Sequence, residues 1–285
     1  MERMPERGTS PRSLTPTRCG DTVFRWGERT YVMGIINVTP DSFSGDGLAG
    51  RIGQVVEQAR RFVEAGADIL DIGGQSTRPG HVPVTVDEEL RRVIPAVRAV
   101  REAVQVPISV DTCKLEVATP SLDAGASMLN DIWGLKREPG LARLAAERGV
   151  PIVLMHNQEG TAYQDLVPDV VSSLQESCQA ALLAGVPREQ IIVDPGIGFG
   201  KTWEQNLVLL RHLRALRALA HPVLLGPSRK SFIGRVLDLP PEQRMEGTAA
   251  AVALGIASGV DIVRVHDVVA MVRVTRVADA IVRGP

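Results

Sequence analysis

The chain of 285 residues has only three cysteines, Cys19, Cys113 and Cys178, scattered and odd in number. That count excludes a disulfide framework and fits a reducing compartment. None is spaced as a metal-type pair, so all three read as buried or inert thiols. No apolar run is long enough to span a bilayer. Formal net charge is −1, so no basic field would gather nucleic acid or anionic lipid. The first 20 residues carry no apolar stretch of the secretory type, and Glu2 and Glu6 argue against a transit peptide. They are expected to form a flexible leader, frayed or hairpin-forming, ahead of one domain over 21–285, in a cytoplasmic protein. No H-E-x-x-H and no Cys/His cluster occurs, and His81, His212 and His221 read as surface or packing residues. Lysine is scarce too. Lys114, Lys136, Lys201 and Lys230 stand against 28 arginines, which marks those four for their compact charge and flexible stem.

What the chain does have is alternation. Short apolar runs occur at 30–37, 67–73, 106–111, 126–131, 150–156, 191–194, 221–226 and 260–266. They are apolar nearly throughout, as strands buried on both faces are. Segments of helical spacing lie between them, among them 54–67, 87–103, 139–150, 169–186, 203–219 and 241–260. Gly66, Gly125, Gly149, Gly185 and Gly259 fall where helices should stop. Eight β/α units in about 250 residues predict an α/β fold, a single-domain (β/α)8 TIM barrel. A doubly wound open sheet is the alternative, weakened by the lack of an early G-x-G-x-x-G turn.

In such a barrel the ends of the strands form the site. Those ends carry Asn37, Asp111, Asn130-Asp131, His156, Asp194, Ser228-Arg229-Lys230, Arg264 and His266, and strand two runs into Ser76, Thr77 and Arg78. A lone aspartate there is usually a cap or half of an ion pair. Seven or eight polar ends on one rim imply a shared polar site. Asp111, Asn130 and Asp194 suit the N–H edges of a flat heterocycle. Lys230, Arg264 and His266 are expected to supply cations to an oxygen-rich anion such as pyrophosphate. The loops 37–47 and 73–83 are longer than ordinary βα connections and are expected to close over a ligand. Asn37 and Asp41 are plausible donors to a Mg2+ held mainly through substrate phosphate.

The stretch "DPGIGFGKT" (194–202) superficially suggests a nucleotide loop. A P-loop needs glycine five residues before Gly200, and that position is Pro195. The stretch reads better as Asp194 closing a strand, a tight glycine turn bringing backbone and Phe199 to a flat ring, and Lys201 and Thr202 opening a helix.

Taken in order, "GIINVTPDSFSGDG", "DIGGQSTRPG", "SVDT", "LNDI", "VLMH", "DPGIGFGKT", "GPSRKSFIG" and "RVHDV" resemble the dihydropteroate synthase family from about residue 31 to 268. The resemblance implies a barrel, usually dimeric, that joins 6-hydroxymethyl-7,8-dihydropterin diphosphate to 4-aminobenzoate and releases pyrophosphate. It implies that Asp111, Asn130, Asp194 and Lys230 hold the pterin, with Arg264 against the ring. Arg264, His266 and Asn37 would hold the diphosphate, with Mg2+ near Asn37, and Asp41 lies on a loop that would close over the aminobenzoate. Thr39, Phe43, Ser76, Thr77, Arg78 and Pro79 would form the aminobenzoate pocket, with Ser231 meeting its carboxylate. The chain departs from the family at Gln75, where glutamate is usual, at "SGDG" for "SDGG", and after His156. A related corrinoid methyltransferase should lack "STRPG" and "SRKSFIG", and a paralogue that has lost catalysis should lack Arg78, Lys230 or "TPDSF"; all are present.

Overall fold

A computed structural model describes residues 14–39, 47–75 and 84–284, with residues 47–51 described as backbone only. Asp41, Phe43, Ser76, Thr77, Arg78, Pro79 and His81 lie outside the described residues.

The chain opens on a hairpin, β1 (Thr17–Cys19) and β2 (Thr22–Phe24), paired antiparallel. Eight parallel strands follow: β3 (Tyr31–Asn37), β4 (Ile69–Gly73), β5 (Ile108–Asp111), β6 (Met128–Asp131), β7 (Ile152–Met155), β8 (Ile191–Asp194), β9 (Leu224–Leu225) and β10 (Ile262–Val265). Their order is β8-β7-β6-β5-β4-β3-β10-β9. A parallel bridge between Val193 and Val223 brings the two edges together, so the sheet is a nearly closed barrel and the open-sheet alternative falls. Helices surround it: α1 (Gly47–Ala65), α2 (Val86–Ala103), α3 (Leu115–Asp123), α4 (Gly140–Arg148), α5 (Leu166–Leu183), α6 (Trp203–Arg211), α7 (Ser231–Leu237), α8 (Met245–Ala257) and α9 (Val268–Arg283).

Most strands begin about two residues later than the apolar runs suggest, and in four of the runs, those starting at 67, 126, 150 and 260, the first residue closes the preceding helix. The backbone N–H groups of Ala67, Ala126, Val150, Val186 and Val260 each bond the carbonyl five residues back. The preceding glycines, the five expected as helix stops, all have positive φ. This is the Schellman closure. At Ala67, Ala126, Val150 and Val260 the stop and the buried approach to the next strand are one device, used four times; after Val186 a 3-10 turn, Arg188–Gln190, comes before β8.

Alternation along the strands separates two cores. Ile36, Leu70, Ile72, Ile108, Val110, Leu129, Ile152, Leu154, Val193 and Val263 face the helices. Met33, Ile69, Met128, Val153, Ile192, Leu224 and Ile262 fill the lumen. The hairpin packs onto that lumen from below with Cys19, Phe24 and Trp26. Residues 17–20, assigned by the sequence to a flexible leader, therefore belong to the folded body: Thr17 is fully buried and its hydroxyl donates to the Glu189 carbonyl. Phe24 meets Tyr31 edge to face at 4.9 Å and stacks on Trp26 at 5.7 Å. Phe24→Ala should cost about 3–5 kcal/mol in urea unfolding, because a fully buried ring leaves a cavity that this closed barrel end cannot collapse into. A change under about 1 kcal/mol would show that the hairpin is not part of the cooperative unit.

Candidate active site

The same alternation that puts Met33, Ile69 and Met128 in the lumen puts polar residues one layer higher. Inward positions above the apolar floor are Asp71 on β4, Asp111 on β5, Asn130 on β6, Asp194 on β8 and Arg264 on β10. The barrel core is thus apolar at the hairpin end and ionic at the other. A cavity opens above this layer, lined by Asn130, Asp194, Arg264, Lys230, Phe199, Ile197, Ile132, Met155 and Gly226. It holds four of the five residues assigned to the pterin. Asp111 joins them through Arg264, whose Nη2 donates to Asp111 Oδ2 at 2.7 Å.

Arg264 also donates from Nε to Asp71 Oδ2 at 2.6 Å, and that oxygen accepts from Asn130 Nδ2 at 3.1 Å. Asp71 is fully buried. It is not among the strand-end residues because it lies mid-strand, two residues before the end of β4. Its signal was a lone carboxylate in the apolar run "ILDIG".

Burial, the largest influence, raises Asp111 well above the ordinary carboxylate range; Arg264 opposes this, while Asp71 and Glu89 add to it. Burial likewise raises Asp194 to about 6, against the Gly196 N–H that Oδ1 accepts at 2.7 Å. Desolvation makes both carboxylates reluctant anions. Such groups favour a ligand that brings N–H donors or positive charge.

The turn after Asp194 needs its glycines. Gly196 has φ +71°, and a Cβ there would lie 1.9 Å from the His156 carbonyl oxygen. At Gly198, φ +84°, a Cβ would come within 2.8 Å of the Lys230 stem. The turn therefore lets Phe199 and Lys230 share one wall, with Nζ 4.0 Å from the ring centroid.

Lys201 corrects the sequence reading. Thr202, not Lys201, caps α6, in a reciprocal capping box with Gln205. Lys201 turns inward instead, and its Nζ reaches His156 Nδ1 (2.9 Å) and the carbonyls of Gly196 (3.1 Å) and Phe199 (2.9 Å). It fastens the glycine turn from inside. Burial lowers it to about 7, and His156 to about 3. The segment after His156, which matched the family weakly, braces the same turn: Tyr163 donates to the Gly200 carbonyl at 2.7 Å.

His266 is a second correction. Burial, followed by Arg264, Arg229 and Lys230, lowers it to about 3. It is a neutral N–H donor and not the cation expected. Ser228 Oγ lies 2.9 Å from its Nδ1; a hydroxyl donating there leaves the ring proton on Nε2. Arg229 is structural: it takes φ +57° and pairs with Asp267 at the start of α9. Asp131 faces outward and accepts the N–H groups of Trp133 and Leu135.

Of the remaining assigned residues, Asn37 ends β3 half-buried, Thr39 is buried beside it, and Ser231 begins α7 exposed. Gln75 Oε1 accepts from Lys114 Nζ at 3.1 Å and from the Val84 N–H at 3.3 Å. An amide so engaged is a brace and not a base. Burial also raises all three cysteines, to about 11 or 12, which agrees with inert thiols. Among the described residues no helix is long and apolar enough to cross a membrane.

Among the described residues no three His, Cys, Asp or Glu side chains converge on a point. Asn37, an amide carbonyl at the rim, is the described donor in the right region. That set does not make a protein cage for a metal. It fits a Mg2+ held mainly by a diphosphate and water, with one or two protein oxygens.

The fold is a parallel barrel with a polar site in its lumen, and residues 33–266 match the family described as Pterin binding enzyme. The chain is 53% identical over 253 residues to dihydropteroate synthase of Bacillus subtilis, covering 89% of each. It superposes with TM-score 0.89 on the enzyme from Clostridium difficile in the presence of pteroic acid, at 48% identity, covering 91% of this chain and 99% of that one. The Xanthomonas albilineans enzyme with 4-aminobenzoic acid gives TM-score 0.89 at 43% identity, covering 96% and 98%. The chain belongs to the dihydropteroate synthase family, a family of transferases in folate biosynthesis.

Proposed function

We propose that the chain condenses 6-hydroxymethyl-7,8-dihydropterin diphosphate with 4-aminobenzoate, giving 7,8-dihydropteroate and pyrophosphate by dissociative substitution. The observation that carries this reading is the lumen layer itself, with a desolvated carboxylate, an amide, an arginine and a lysine lining one cavity and a second desolvated carboxylate held to them through Arg264. Asp111, Asn130 and Asp194 would take the N–H edge of the pterin, and Lys230 and Phe199 would cover its ring region. Arg264 spends two donors on carboxylates, so its role is to hold Asp111 and lie beneath the ring. Its Nε and Nη2 are not aimed at the diphosphate. Asn37 and the neutral His266 would meet the diphosphate. Thr39, Ser231 and the loop residues Phe43, Ser76, Thr77, Arg78 and Pro79 are assigned to the aminobenzoate.

The chemistry follows from charge. As the methylene C–O bond breaks, its electron pair leaves with the diphosphate and positive charge spreads into the pterin. Asp111 and Asp194 are already oriented and dry, so they stabilise that cation without reorganising. The amine of 4-aminobenzoate is a sufficient nucleophile; its nitrogen bonds the methylene and loses one proton. Asn37 and Asp41 would help hold a Mg2+, which would supply positive charge to the leaving group. In the absence of 4-aminobenzoate, substrate labelled with heavy oxygen at the bridging position should return with label scrambled into non-bridging positions. No scrambling, from an enzyme preparation that forms dihydropteroate once 4-aminobenzoate is added, would favour concerted displacement.

We also infer a cytoplasmic homodimer. Leu254 on α8 and Val277 and Ile281 on the adjoining α9 are 62–79% exposed, an apolar set that a second copy would cover. Light scattering is expected to give twice the 30.7 kDa chain mass, and Leu254→Glu with Ile281→Glu is expected to give monomer. A monomeric wild type would exclude this.

A further inference from the structure

We propose that Asp71 is a positioning residue for the pterin site, fixing both the direction of Arg264 and the orientation of the Asn130 amide. The inference rests on the activity proposed above. Three observations carry it.

The first is reach. Asp71 Oδ2 is the shared acceptor of Arg264 Nε (2.6 Å) and Asn130 Nδ2 (3.1 Å), and so connects β10 to β6 through β4. Register places Asp71 one layer beneath Asp111: Asp71 pairs with Ser109 and Gly73 with Asp111. Arg264 thus hangs between a lower and an upper carboxylate.

The second is polarity. A carboxylate only accepts, so Asn130 must turn its NH2 toward Asp71, which sets its carbonyl on the opposite branch. Asn130 lines the cavity, and a flipped amide would offer the ligand the reverse pattern. Asp71 therefore dictates which hydrogen-bond signs the site presents.

The third is that the layer is incompletely satisfied. Asp71 Oδ1 and Asp111 Oδ1 are both buried without a hydrogen-bond partner. Unpaired buried carboxylate oxygens are costly, and a barrel interior retains them where the charge serves the site. For Asp111 the groups facing it are Asp71 on β4, Glu89 on α2, Arg264 on β10 and Lys230 before α7. The Asp71 charge pushes Asp111 toward the protonated form, so its removal should make Asp111 ionise more easily.

The test is dihydropteroate formation by purified wild type, Asp71→Ala and Asp71→Asn, with melting temperature as a folding check. Asp71→Ala removes acceptor and charge, and kcat/KM should fall about 10- to 100-fold. The loss should appear in KM for pterin diphosphate, with KM for 4-aminobenzoate changed less than about twofold. Asp71→Asn keeps an acceptor oxygen and loses the charge. Its loss should be smaller, and the acid limb of its kcat/KM profile should move about one pH unit lower. A structural role would leave that limb in place. Variants within about threefold of wild type, equal effects on both substrates, an unmoved limb or failure of Asp71→Asn to fold would overturn the proposal. A wild type that makes no dihydropteroate would instead overturn the activity on which it rests.

Discussion

Lys230→Ala is expected to lower kcat/KM for pterin diphosphate by about 100- to 1,000-fold while leaving the melting temperature nearly unchanged. The side chain stands where three constraints meet. Its Nζ is 4.0 Å from the Phe199 ring centroid, its stem packs against Gly198, whose φ of +84° favours glycine, and its charge acts on both Asp111 and Asp194. Its backbone caps α7 without help from the side chain, so alanine keeps the helix start. The loss should therefore be one of binding and catalysis. Calorimetric titration with the pterin substrate checks this, and an unchanged affinity would remove Lys230 from the site.

The second large effect is on pH dependence. Asp111 rises to about 7 through burial and Asp194 to about 6. Both must be ionised to accept pterin N–H groups and to face a developing cation. As pH falls through 7 and then 6 they take up protons and lose that capacity. Wild-type kcat/KM should decline with acid from about pH 7, about tenfold per unit at first and more steeply below 6. Asp111→Asn cannot titrate, and it leaves Arg264 with one carboxylate instead of two. It should lose about 100-fold or more in kcat/KM at pH 8, and the upper step of the acid limb should vanish. A variant that keeps the full wild-type limb would assign that ionisation elsewhere.

The fold was legible because its signals repeat. Eight apolar runs and five helix-ending glycines needed only counting, and the C-terminal strand ends then gave Asp111, Asn130, Asp194, Lys230 and Arg264 without reference to any relative. Lysine scarcity also proved informative. Lys230 lines the cavity, Lys201 fastens the glycine turn, Lys114 braces Gln75 and Glu89, and Lys136 holds the Asn157 carbonyl. What the sequence hid was direction. Whether Lys201 opens a helix or turns inward depends on carbonyls of residues 196 and 199 that come together only in the folded turn. Whether His266 is a cation depends on how much arginine and lysine charge surrounds it once buried. Asp71 escaped because a mid-strand carboxylate in an apolar run gives no local sign of which partners the barrel will bring to it.

The most direct measurement is product formation by purified protein supplied with Mg2+, pterin diphosphate and 4-aminobenzoate, read by mass spectrometry and pyrophosphate release together. The account predicts 7,8-dihydropteroate and pyrophosphate in equal amounts, both dependent on the enzyme. No dihydropteroate under these conditions, or pyrophosphate released by hydrolysis with no amine incorporated, would contradict it.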